Sequence, residues 1–183
     1  INLQLPDLNQ NDFFHLTLTR QIRQVETLLP QTPVTLIGSS LGGLTALWIA
    51  ERQPQVQRLI LLAPALDFLA NSLTIIGEPK YAQWCHQGET AFYHYGEERD
   101  LLLSYDFIQD MYHYDDADLQ RRLPTLILHG RQDEVIPIQT SREFITTRPW
   151  IQLIEVESDH SLASVQTPLW QIIQDFCQIS TEA

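Results

Sequence analysis

The sequence predicts an α/β fold in which a mostly parallel sheet is covered by helices on both faces, and three observations carry that prediction. Four short runs, Val34 to Ile37, Arg58 to Ala63, Thr125 to Leu128 and Ile151 to Val156, are predominantly apolar and of strand length, as strands buried on both faces require. Segments with helical spacing lie between them, so right-handed crossovers would build a three-layer sandwich. The turn Gly38-Ser39-Ser40-Leu41-Gly42 joins one of these strands directly to a helix.

In chain order, Ile1 to Leu5 suits a strand that stops at Pro6-Asp7, with a loop through Asn9 to Asp12. Leu18, Ile22, Val25 and Leu29 fall on one helical face, which Pro30 and Pro33 close. Leu41 to Arg52 continues from the turn as a helix that Pro54 ends, and Trp170, Ile173, Phe176 and Cys177 mark a last helix. Residues 65–122 break the rhythm: they hold all six tyrosines and ten of the seventeen aromatic residues, with no run long enough for the main sheet. Phe92 to Tyr95 and Leu101 to Tyr105 flank the turn Gly96 to Asp100 as a β-hairpin. This insertion is expected to be a cap over the carboxyl edge of the sheet, within a single domain spanning 1–183. Its acidic cluster Asp115, Asp116 and Asp118 suits the start of a short helix over Leu119 to Leu123 better than a metal site, because no calcium-loop glycine or terminal glutamate completes it.

Composition narrows the function. A chain of 183 residues, 44% hydrophobic, buries one sizeable core. Eleven Lys and Arg against 23 Asp and Glu leave a net charge of -12, which repels nucleic acid and anionic lipid. No apolar run approaches a membrane span and no leader pattern opens the chain. Cys85 and Cys177 match no metal spacing and are expected as buried free thiols in a reducing cytoplasm.

The chemistry centres on Gly38-Ser39-Ser40-Leu41-Gly42, a G-x-S-x-G nucleophile elbow at a strand-to-helix junction. The turn is tight enough that side chains at the two flanking glycines are expected to clash, and Ser40 is held at its apex. The following helix aims N–H groups and its positive dipole end beside Ser40, with the Leu41 N–H as first oxyanion donor. A serine nucleophile needs a base, and the base needs an orienting acid. Asp133 follows the strand Thr125 to Leu128 and His160 follows Ile151 to Val156. The order Ser, Asp, His, each just past a strand, brings all three to one crevice. Ser39 and Glu134 are the alternatives to Ser40 and Asp133. Asp159 reads as a loop cap and His129 as a structural imidazole. His15, His86, His94 and His113 lack triad context.

Gly38 to Gly42, His129-Gly130-Arg131-Gln132-Asp133 leading to Val135-Ile136-Pro137, and Asp159-His160-Ser161 together resemble the α/β-hydrolase superfamily over nearly the whole chain. Pro64, the short cap and the hairpin resemble the small single-domain bacterial serine esterases of the YqiA-like group. The resemblance implies ester or thioester hydrolysis by Ser40, with His160 as base and Asp133 as its partner, and no metal or organic cofactor. It also implies an opening strand whose His-Gly loop gives the second oxyanion donor. The only His-Gly here is His129-Gly130, and the sequence opens at Ile1 with Met111 as its single methionine, so an N-terminal strand is expected to be missing from it. The substrate is expected to be a small-molecule acyl ester. Trp84, Phe92, Tyr93, Tyr95, Tyr105, Phe107, Tyr112 and Tyr114 are candidate pocket walls. An acyl-CoA thioesterase would need a basic patch that Lys80, Arg99, Arg121 and Arg122 do not obviously supply. A non-catalytic binding module is the remaining alternative.

Overall fold

The computed structural model describes residues 2–94 and 97–179. Its backbone contacts divide the chain into two compact units, one made of Ile1–Leu29 with Asp67–Asp118, the other of Pro30–Leu66 with Leu119–Ala183.

The second unit holds the main sheet. Strands β1 (Val34–Ser39), β2 (Val56–Leu62), β5 (Thr125–Gly130) and β6 (Ile151–Val156) are all parallel, in the order β1-β2-β5-β6. Helices α2 (Leu41–Arg52), α6 (Ile138–Thr146) and α7 (Gln166–Cys177) accompany it. Ile60, Leu126 and Leu128 meet Leu169 and Ile173 of α7 on one face of the sheet, and each such buried side chain contributes roughly 1.5–3 kcal/mol. Helix α2 packs on β1 and β2, and α6 on β5 and β6. Every residue of β5 is buried, as the double-sided apolar pattern requires, and α2 is buried from Gly43 to Ala50.

Strand β1 is less buried than its composition suggests. It is an edge strand, paired only with β2 among the described residues, and Ile37 on it is 49% exposed. Residues 119–124 also depart from expectation, forming no helix. Leu123 precedes Pro124, which disfavours helical backbone there, and the extended course sends Arg121 to the end of α2. Its guanidinium donates to the carbonyl oxygens of Ala50, Gln53, Pro54 and Val56, while its own N–H donates to Glu51 at 2.8 Å. The bond to Ala50 satisfies a carbonyl that the end of α2 leaves unpaired, and the others tie the following turn to it.

The first unit holds α1 (Leu18–Leu28), α3 (Phe68–Ile76), α4 (Glu78–Gln87), the antiparallel hairpin β3 (Glu89–His94) and β4 (Arg99–Ser104), and α5 (Asp106–Met111). Thr17 caps α1, its hydroxyl accepting from the Arg20 N–H at 3.1 Å. The Thr19 N–H donates to Asp110 Oδ2 at 2.8 Å, and the Thr19 and Tyr114 hydroxyls lie 2.6 Å apart. The expected opening strand is not formed. Ile1 lies outside the described residues, and Leu3 and Leu5 are 77% and 93% exposed on a segment without secondary structure. Among the described residues no strand pairs that backbone, and Asp7 instead turns the chain by accepting from the N–H groups of Asn9 and Asn11.

Trp84 is the centre of this unit's core. It is fully buried, donates its Nε1–H to the Leu103 carbonyl at 2.9 Å, and is ringed by Phe92, Tyr105 and Phe107 at centroid distances of 5.0, 5.7 and 6.2 Å. With the core taken by Trp84, the next residue along α4 points away, so Cys85 is exposed where burial was expected; Cys177 is half-buried and both thiols are free. Within the acidic cluster, Asp115 Oδ1 accepts from the Ala117 N–H of its own loop, while Asp116 Oδ2 accepts from the Asp67 N–H at the start of α3. Among the described residues no helix is long and apolar enough to cross a membrane.

Candidate active site

The G-x-S-x-G turn joins β1 directly to α2. Ser40 sits between β1 and α2 at φ 52° and ψ -120°, a conformation rare for a residue with a side chain. The neighbouring backbone holds it there. The Ser40 N–H donates to the Leu62 carbonyl at 2.8 Å, and its carbonyl accepts from the N–H groups of Gly43, Leu44 and Ala65 at 2.9, 3.3 and 3.0 Å. Ser39 ends β1, so Ser40 occupies the apex. The Leu41 N–H opens α2 and has no backbone acceptor among the described residues.

The flanking glycines turn out to be unequal. A Cβ on Gly38 would lie 2.2 Å from the Gly42 carbonyl oxygen, which no structure tolerates, whereas one on Gly42 meets nothing within 4 Å. The steric demand expected at both flanks therefore falls on Gly38. Gly43 shares it in part, since its Cβ would press on Pro64 at 3.0 Å.

Asp133 and His160 come together across the ends of β5 and β6. His160 Nδ1 lies 2.8 Å from Asp133 Oδ2, while Asp133 Oδ1 accepts from the N–H groups of Val135 and Ile136 at 2.9 and 2.8 Å. Gly130 permits this approach: a side chain there would meet the Ser158 and Asp159 carbonyl oxygens at 2.3 and 2.5 Å. The two loops are then stitched by the Arg131 N–H donating to Val156 and the Gln132 N–H to Ser158. The Asp133 side chain is fully buried. Burial alone would push its carboxyl up, but hydrogen bonds from His129, His160 and the Ile136 and Val135 N–H groups outweigh that and hold it well below the usual carboxylate range. Asp159 caps its loop as expected, its Oδ1 accepting from both the N–H and the hydroxyl of Ser161.

No hydrogen bond joins Ser40 to His160 among the described residues. The structure thus forms the Asp133–His160 pair and the elbow, each within the same unit, without closing the link between them. His129 and Ser141, which the sequence did not single out as partners of the site, join it through Asp133. The signal was present as a histidine four residues before the acid, at the end of a fully buried strand.

Of the suggested pocket walls, Trp84 and Phe107 do not face open space: at 0% and 5% exposed they are spent on the core of their unit. Tyr95 lies outside the described residues. Phe92, Tyr105 and Tyr114 are half-buried, and Tyr93 and Tyr112 are 54% and 67% exposed. Tyr81 lies beside Tyr105, and its hydroxyl, with burial and the Cys85 thiol adding to it, pushes the Tyr105 hydroxyl up.

A parallel sheet of this order, flanked by helices, with a serine at the strand-to-helix elbow, defines the α/β-hydrolase fold. The chain belongs to the family described as Uncharacterised protein family (UPF0227), whose sequence profile matches residues 1–177. No curated protein sequence matches it. Among solved structures it is similar to alpha/beta hydrolase domain-containing protein 10 from mouse, at 25% identity and a TM-score of 0.69, covering 90% of this chain and 71% of that one. It is also similar in fold to Est1E from Butyrivibrio proteoclasticus with ferulic acid bound, at 19% identity and a TM-score of 0.75, covering 88% and 68%. A monoacylglycerol lipase from Paleococcus ferrophilus matches at 17% identity and a TM-score of 0.62, covering 91% and 77%.

Proposed function

We propose that this protein is a serine hydrolase that cleaves carboxylic esters of small or medium acyl groups through Ser40, His160 and Asp133. The 2.8 Å contact between His160 Nδ1 and Asp133 Oδ2 carries the reading. With its Nδ1–H given to a carboxylate, the imidazole keeps a bare Nε2 lone pair, the form a general base needs. His160 takes the Ser40 proton as Oγ attacks the ester carbonyl. The Leu41 N–H and the positive end of α2 stabilise the oxyanion. His160 then protonates the departing alcohol, and water repeats the cycle on the acyl-enzyme. The absence of a Ser40–His160 hydrogen bond is compatible with this scheme, because such bonds commonly tighten only with substrate in place.

The cap reading of residues 65–122 within one domain belongs to the same proposal. The thioesterase alternative is weakened by the state of its cations. Arg121 is engaged by four carbonyls, Lys80 lies over the Phe92 ring at 4.2 Å, Arg122 lies over Trp150 at 5.1 Å, and Arg99 pairs with Glu97 at 3.4 Å. The test is turnover of a series of p-nitrophenyl esters from acetate to octanoate, against the matched acyl-CoA thioesters, with Ser40→Ala as control. Faster turnover of the esters, lost in the control, is expected. Preference for the thioesters, or turnover that persists in the control, would contradict it.

A further inference from the structure

His129, near the end of β5, has no solvent-exposed surface, yet three polar groups surround its ring. Nδ1 lies 2.8 Å from the hydroxyl of Ser141, itself fully buried on α6. Nε2 lies 3.0 Å from the Ile136 carbonyl oxygen and 3.1 Å from Asp133 Oδ2. A carbonyl and an ionised carboxylate can only accept, so Nε2 carries the proton. The Ser141 hydroxyl can then donate to Nδ1, and the ring is fixed at both ends.

The geometry points to His129, anchored by Ser141, as a positioning residue for the acid–base pair, holding Asp133 Oδ2 where that same oxygen accepts from His160 Nδ1. The inference rests on the reading of His160 as the base. Asp133 Oδ1 is fixed by two backbone N–H groups, but among the described residues Oδ2 has only the two imidazoles beside it. The His160 side chain is 21% exposed and that of His129 is 0% exposed. Without His129, Oδ2 would be held only by the imidazole it is meant to orient. The second donor also offsets the cost of burying a full carboxylate charge. The negative charges of Asp133 and Asp159 oppose each other.

Two nuclear magnetic resonance measurements test this without depending on turnover. In the native protein, long-range proton–nitrogen spectra are expected to show His129 protonated on Nε2; protonation on Nδ1 alone would overturn the proposal. The Asp133 carboxyl carbon, followed against pH, is expected to protonate roughly one pH unit higher in His129→Leu than in the native protein, and His129→Gln, whose amide N–H can replace Nε2–H, is expected to restore it. Ser141→Ala, which frees the far end of the ring with little change of volume, is expected to move it in the same direction by less. Identical titration in native protein, His129→Leu and Ser141→Ala would overturn the proposal, as would Leu and Gln variants that titrate alike. Should His129→Leu not fold, the native tautomer and Ser141→Ala decide. On an ester substrate, His129→Leu is expected to lower kcat roughly tenfold with KM held. A native protein inactive on every ester would count against the proposed function, while the spectra would still report on His129.

Discussion

The two halves of the candidate site are held in opposite ways. Ser40 is fixed by its main chain, through a positive φ and four backbone hydrogen bonds, and its side chain makes no hydrogen bond among the described residues. Asp133 and His160 are fixed through side chains, with the carboxylate accepting from two backbone N–H groups and His160 Nδ1 and lying 3.1 Å from His129 Nε2. The difference follows the proposed roles. A nucleophile must be presented in one place while its hydroxyl remains free to give up a proton, and backbone strain does that without engaging the oxygen. A base must be kept in one tautomer, and that takes hydrogen bonds to the ring itself.

Removing either half's reacting group should abolish the advantage of both. Ser40→Ala and His160→Ala are each expected to lower kcat on the order of 10⁴-fold or more, with the double variant little worse, because the two act as a unit. Additive losses in the double variant would separate the halves. Asp133→Asn keeps the shape but cannot hold the Nδ1–H, and about a 10⁴-fold loss of kcat is expected.

The acid side also shows in stability. The Asp133 carboxyl is held below its ordinary value in the folded state, so its contribution is present above about pH 4, where the unfolded chain is ionised. That contribution is lost as pH falls through the lower folded value. Thermal unfolding followed against pH should therefore drop more steeply below about pH 4 in native protein than in Asp133→Asn. Equal slopes would mean that the carboxylate is not so held.

The glycines give the smaller effects and the sharpest contrast. Gly38→Ala and Gly130→Ala force a Cβ against backbone oxygens at 2.2 and 2.3 Å, and each is expected to cost about 1–3 kcal/mol or more in denaturant unfolding. Gly42→Ala meets open space at the start of α2 and is expected to change stability by no more than about 1 kcal/mol, toward greater stability. Equal costs at Gly38 and Gly42 would contradict the account of the elbow.

Much of this was legible in the sequence because the signals were local. The span Leu41 to Arg52 and the strand Ile151 to Val156 are realised without change, since a glycine turn, a closing proline and a mainly apolar run each act within a few residues. What the sequence hid depends on neighbours. The exposure of Ile37 follows from the place of β1 at the sheet edge, which no pattern within β1 encodes. Leu119 to Leu123 has helical composition, yet Arg121 finds four carbonyls only in an extended chain. Trp84 and Tyr112 look alike as aromatic residues of the insertion, and only packing tells the core residue from the exposed one. The partnership of His129 with Asp133 requires knowing that the strand end and the following turn fold back on each other.

The central claim is that Ser40 is an activated nucleophile, and the most direct measurement is labelling with a fluorophosphonate probe, with the modified peptide mapped by mass spectrometry. Label on the peptide containing Ser40, lost in Ser40→Ala and strongly reduced in His160→Ala, is the predicted result. Folded protein that takes no label, or takes it at another serine, would contradict the account.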